Sequence, residues 1–142
     1  MTTACLFCSI VRGDTPAFVV LDEPIALGFL DIRPLFHGHV LLVPRAHVPT
    51  LGDAPPELVP PLFLAARRLA RAVERGLAAE GTFVAMNNHV SQSVPHLHVH
   101  VVPRRKKDGL KGFFWPRTRY ASDAEAESTR DRILAALREE GP

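Results

Sequence analysis

Residues 95–103 read Pro95-His96-Leu97-His98-Val99-His100-Val101-Val102-Pro103. Histidines at every second position, separated by Leu97 and Val99, follow the two-residue repeat of a β-strand, in which alternate side chains share a face. The imidazoles of His96, His98 and His100 then line one face, reaching roughly 7 Å to either side of the central ring. Leu97, Val99 and Val101 point to the other face, where they can pack. Three protonated imidazoles at this spacing would repel one another, so these rings are expected to be neutral or tied to a partner. The bland alternative is a strand whose polar edge happens to be histidine. Of the seven histidines in the chain, three fall in these five residues, which argues for a functional site.

Working outward, a chain of 142 residues with 46% apolar side chains is long enough for one domain with its own core. No apolar run approaches the ~20 residues of a membrane-spanning helix. The opening Met-Thr-Thr-Ala-Cys lacks the basic start and apolar centre of an export signal, so the expected location is the cytoplasm. The net charge of +2 decides little by itself. The two cysteines form Cys5-Leu6-Phe7-Cys8. A disulfide framework would need more of them and an export signal. A redox pair normally sits after a strand, and only four residues precede this one. Metal ligation, with two more ligands from elsewhere, and plain buried cysteine both remain open.

In chain order, Cys5 to Arg12 reads as a short helix closed by Gly13. Phe18–Leu21 and Ile25–Leu30 read as strands joined by a turn at Asp22-Glu23-Pro24, and His39–Val43 as a third strand ended by Pro44. Leu58, Leu62, Ala66, Leu69, Val73 and Leu77 recur at helical spacing, with Arg67, Arg68, Arg71, Glu74 and Arg75 on the other side. Pro60 and Pro61 are compatible with this long helix if it begins near Glu57. Thr82–Asn87 is a fourth strand, leading through a loop to the histidines. Arg104 to Tyr120 mixes cationic and aromatic side chains, and Ser122-Asp123-Ala124-Glu125 is a capping box opening a helix to about Glu140. That last helix carries Ala126, Ile133 and Leu137 on one face. Short strands in hairpin order with one long helix between the third and fourth predict an α+β fold, an antiparallel β-sheet with its helices on one face.

The histidine run resembles the His-φ-His-φ-His-φ-φ signature (φ apolar) of the histidine-triad family of nucleotide hydrolases and transferases. Gln92-Ser93-Val94 before it, Phe29-Leu30-Asp31-Ile32-Arg33-Pro34, and His39 to His47 with its Pro44-Arg45-Ala46-His47 ending also resemble family segments, as does Cys5-Leu6-Phe7-Cys8 with Ile10. The likeness extends from Cys5 to about Arg104, so 1–104 is taken as the core domain and 105–142 as a C-terminal extension packed on it. Three departures stand out. The Asn88–Gln92 loop is shorter than the family's, Pro95 replaces an aromatic residue, and the extension has no counterpart in the compact family core.

The resemblance implies a sheet that pairs two protomers into a homodimer, and a reaction at the α-phosphate of a purine nucleotide derivative such as an adenylyl phosphoramidate or dinucleoside polyphosphate. It implies His98 as nucleophile, forming a nucleotidyl-histidine, with His100 placed for phosphate oxygens or the leaving group. Gln92, Ser93 and Asn88, the last favoured over Asn87, would supply hydrogen bonds to the phosphate. Asp31 would accept from ribose hydroxyls, and Phe7, Phe29 and Ile32 would form the base slot; core packing is the bland alternative for these apolar three. It also implies a structural zinc held by Cys5, Cys8, His47 and His96, two thiolates and two imidazoles in a closed tetrahedron.

A purine-nucleotide-binding regulatory module with incidental turnover is the alternative function. The basic and aromatic stretch 104–120 could instead hold nucleic acid. A solvated loop with docked aromatics is the preferred reading, so neither nucleic acid nor membrane is an expected partner. Within that stretch, Lys111 to Arg117 is expected to close over the site, either its own or a partner's.

Overall fold

The structure, a computed structural model, describes residues 4–111 and 116–141. Phe113, Phe114 and Trp115, on which the expected closing segment depends, lie outside the described residues. The order of elements is α1 (Leu6–Arg12), β1 (Val19–Asp22), β2 (Ala26–Leu30), β3 (Val40–Pro44), α2 (Val59–Gly76), β4 (Gly81–Ala85), β5 (Val99–Arg104) and α3 (Asp123–Glu140). The five strands form one antiparallel sheet in the order β1-β2-β3-β5-β4. The α+β class is therefore as the strand and helix pattern predicts.

The register sorts the side chains into two layers. Val40, Leu42, Val99 and Val101 face α2, which buries Leu62, Ala65, Ala66, Leu69 and Val73 against them. Those helix positions recur at the spacing of a single helical face, as the sequence pattern predicts. The helix begins one short 3-10 turn after Pro55, and Pro60 and Pro61 sit in its first turn, where their missing N–H groups have no intrahelical partner to lose.

Leu27, Phe29, Leu41 and Val43 point to the opposite face and pack with Phe7, Ile10 and Val11 of α1. The expectation of helices on one face is thus corrected: α1 covers the side that α2 does not. Its apolar residues are too few to show which face a seven-residue helix seeks, and the antiparallel register decides it. Cys5 caps α1, its Sγ accepting from the Cys8 amide, and Gly13 ends it in the left-handed conformation (φ 84°) that suits glycine.

The histidine strand is shorter than expected. Pairing of β3 with β5 runs from Val40 opposite Val101 to Leu42 opposite Val99, so His96 and His98 precede the strand proper. Two features account for this. Pro44 has no N–H to give, and its carbonyl oxygen accepts instead from the His96 ring, Nε2 to O 2.8 Å. The Leu97 amide reaches past it to the Val48 carbonyl at 2.7 Å, so the segment stays extended without a regular ladder. Parity survives: Leu97, Val99 and Val101 are fully buried on the α2 side.

The chain separates into two compact units, with the division between Asp108 and Gly109. In the second unit, Ser122 Oγ accepts from the Glu125 amide and Glu125 accepts from the Ala121 amide, one residue before the cap. Ile133, Leu134 and Leu137 of α3 are exposed.

Candidate active site and metal centre

Four ligand-type side chains from three separate segments converge beside the sheet. Cys5 and Cys8 come from the start of α1, His47 from the loop after β3, and His96 from the lead into β5. His47 Nδ1 lies 3.2 Å from His96 Nδ1 and 3.3 Å from Cys8 Sγ. His96 Nδ1 lies 3.5 Å from each of the two sulfurs. A tetrahedral zinc with bonds of about 2.0–2.1 Å to nitrogen and 2.3 Å to sulfur separates its ligand atoms by about 3.3–3.8 Å. The four separations above, 3.2–3.5 Å, lie close to that range, and all four ligand atoms fall within 4.8 Å of one another.

The tautomer fits as well. His96 Nε2 donates to the Pro44 carbonyl, which leaves the Nδ1 lone pair directed into the cluster. Burial, opposed by that hydrogen bond and reinforced by His47 and His98, lowers the His96 pKa and keeps the ring neutral. Burial, followed by the neighbouring Cys5, raises the Cys8 thiol pKa. His47 is delivered by a loop that Arg45 pins in place: its Nε donates to the Glu23 carbonyl at 2.8 Å and its guanidinium pairs with Asp22. These four residues are able to hold a metal ion.

The next histidine is built on this one. His98 Nδ1 donates to the backbone carbonyl of His96 at 2.8 Å, so a neutral His98 presents an Nε2 lone pair, the form a nucleophile requires. The Phe7 ring packs edge to face with both rings, its centroid 5.0 Å from that of His98 and 5.9 Å from that of His96. His100 follows at 5.0 Å from His98, centroid to centroid. Its pKa is pushed down to about 4, first by burial and then by His98 and His39.

His39 is the site residue that the sequence did not single out. Just before β3, its Nε2 lies 2.9 Å from His100 Nδ1, and burial lowers its pKa against the pull of Asp31. The signal was present in one form. Histidine at 39 shares parity with Leu41 and Val43, which face α1. Only the adjacency of β3 and β5 brings that face to the triad, and a sequence does not display adjacency.

The remaining candidates are distributed as follows. Asp31 is half-buried, its Oδ1 accepting from the Arg33 amide at 2.8 Å and its Oδ2 lying 3.8 Å from His39 Nδ1. Phe7 and Phe29 are buried and touch edge to face at 5.6 Å, while Ile32 is 83% exposed. Asn88 Oδ1 accepts from the Leu51 amide at 2.9 Å, and Gln92 bridges the His89 amide and the Pro49 carbonyl. Both amides therefore stitch the short loop before the triad to the loop after His47. His89 and Ser91 hold left-handed backbone conformations (φ 67° and 62°) within it. Ser93 is exposed at its end.

This arrangement has relatives. The pattern defining the HIT domain matches residues 12–107. The chain belongs to the HIT family. Cys5 and Cys8 precede the matched span, so half of the Cys/His cluster lies outside the part that defines the HIT domain. An "Uncharacterized HIT-like protein Rv1262c" of Mycobacterium tuberculosis (strain H37Rv) is 36% identical over 138 residues, spanning 94% of this chain and 92% of the relative. "Adenosine 5'-monophosphoramidase HNT1" of Saccharomyces cerevisiae is 33% identical over 114 residues, 78% of this HIT chain and 69% of the yeast protein. Among solved structures, a zinc-bound histidine triad family protein from Mycobacterium smegmatis superposes with a TM-score of 0.72 at 38% identity. That match spans 96% of this chain and 97% of the other.

Proposed function

We propose that this HIT protein is a nucleotidyl hydrolase or transferase that acts at the α-phosphate of a purine nucleotide derivative, with an adenosine 5′-phosphoramidate as the representative substrate. The observation that carries this reading is the hydrogen bond from His98 Nδ1 to the His96 carbonyl, which makes Nε2 the nucleophilic atom of the neutral ring. His98 Nε2 attacks the α-phosphorus, a nitrogen–phosphorus bond forms, and the bond to the leaving group breaks. The adenylylated imidazole is cationic, and its Nδ1–H bond to the His96 carbonyl strengthens as the charge develops. Water then attacks phosphorus, the nitrogen–phosphorus bond breaks, and the nucleoside monophosphate departs with His98 neutral again. His100 serves the phosphate oxygens or the leaving group. Ser93 adds a hydroxyl donor, and Asp31 accepts from the ribose. The similarity to a protein named for adenosine monophosphoramidase activity supports the substrate class.

Cys5, Cys8, His47 and His96 are assigned to a structural zinc, supported by the convergence of the four ligand atoms within 4.8 Å and by the zinc-bound relative. With four protein ligands such an ion has no open position, so it supplies rigidity and no step passes through it. The working form is proposed to be a cytoplasmic homodimer; sedimentation of the purified chain as a monomer at micromolar concentration would reject the dimer.

The decisive experiment mixes the protein with adenosine 5′-phosphoramidate labelled at phosphorus, quenches it in alkali, and locates the label by peptide mapping. Label on His98 is the expected result. No label, together with turnover no faster than that of His98→Ala, would replace the enzyme by a nucleotide-binding module.

A further inference from the structure

The hydrogen bonds around His39 have a direction, and it starts in the backbone. The Leu35 amide lies 3.1 Å from His39 Nδ1, and an amide N–H can only donate, so Nδ1 carries a lone pair. A neutral His39 therefore has its proton on Nε2, which donates to His100 Nδ1 at 2.9 Å. His100 Nδ1 is then an acceptor, and a neutral His100 has its own proton on Nε2. Asp31 Oδ2, at 3.8 Å from His39 Nδ1, is beyond hydrogen-bonding distance and does not compete.

The loop that presents this amide is closed at both ends. The His39 amide donates to the Phe36 carbonyl at 3.0 Å, and the Asp31 amide donates to the His39 carbonyl at 2.9 Å. Gly38 makes the turn with φ 101°, and a Cβ there would lie 2.1 Å from Leu77 Cδ1.

We propose that the Leu35 N–H is a positioning group that fixes the tautomer of His39 and, through it, makes His100 a hydrogen-bond donor at Nε2. A donor on the ring beside His98 suits a phosphate oxygen or a leaving group, whereas the other tautomer would offer that ligand a lone pair and repel it. The kinetic part of this inference rests on the hydrolase reading above; the tautomers themselves do not.

The test replaces Leu35 by its α-hydroxy acid, which removes the N–H and keeps the side chain. Leu35→Pro serves as a genetically encoded second variant, and Leu35→Ala, which keeps the N–H, as the control. The ring nitrogens of His39 and His100 are read by nitrogen-15 chemical shift, which separates protonated nitrogen from lone-pair nitrogen. The parent and Leu35→Ala are expected to show Nε2–H on both rings. The ester variant is expected to show a mixture at both, and kcat for adenosine 5′-phosphoramidate about tenfold lower, the kinetic equivalent of one net hydrogen bond, with KM within twofold. A parent His39 protonated on Nδ1, or unchanged tautomers in the ester variant, overturns the proposal. Shifted tautomers with unchanged kcat overturn the positioning role. The spectra need no substrate, so a protein that failed to hydrolyse nucleotides would leave the tautomer result standing.

Discussion

His98 and His100 stand side by side but should fail differently when replaced. His98→Asn keeps a side chain of similar reach without a nucleophilic nitrogen, so turnover should vanish while nucleotide binding, measured by calorimetry, stays within a few-fold. A near-normal kcat would remove His98 from the reaction. His100 instead leaves a mark on stability. Its folded pKa of about 4 lies below the ordinary histidine value of 6.5, so between those values the unfolded chain binds a proton that the native ring refuses. Stability therefore falls as pH is lowered from about 6.5 to 4, and this contribution levels off below the folded pKa. Urea midpoints of the parent and His100→Gln across that range should show a shallower slope in the variant; equal slopes would mean that His100 titrates normally. At this scale the sequence was legible where chemistry is local. Three alternating histidines announce a face, and Cys-x-x-Cys announces a pair. His39 was hidden because its role depends on a ring contributed by a strand 61 residues away.

Among the elements, α1 is the one whose place depends most on the proposed metal. It is seven residues long, too short to be stable alone, and it buries only Phe7 fully. Replacing Cys5 and Cys8 with serine should remove about one zinc per chain, lower the melting temperature, and reduce kcat because the Phe7 ring no longer holds the His98 ring in place. Zinc-free protein with undiminished stability and rate would leave the cluster without a structural task. The Leu35–Gly38 turn makes a second prediction. Gly38→Ala should cost on the order of 1–3 kcal/mol, through the left-handed backbone more than through Leu77, whose side-chain end can swing away. Leu77→Ala in the same chain should therefore recover only a small part of the loss by denaturant unfolding. Helix boundaries were readable from Gly13, Pro60, Pro61 and Ser122, because capping chemistry is written in neighbouring residues. The start of β5 was not, because it depends on which carbonyl the His96 ring takes.

At the scale of the molecule, both hydrophobic cores and all the clustered histidines and cysteines among the described residues come from before Asp108. A chain ending after Gly109, which keeps the Asp108 contacts to Arg104, should fold with a melting temperature within a few degrees of the parent. If it unfolds, the extension is part of the core domain's stability. If it folds, a lower kcat/KM would assign the extension a part in substrate handling. The α+β class and the order of elements were legible because helix and strand periods differ. The two-sided sheet has a consequence for how the gene can change length. One codon inserted between His98 and His100 would turn His100 toward α2 and send Val101 to the α1 side, exchanging the contents of the two layers from that point onward. Two inserted codons would restore every side chain to its own layer. Drift in length within this strand is therefore tolerable only in even steps.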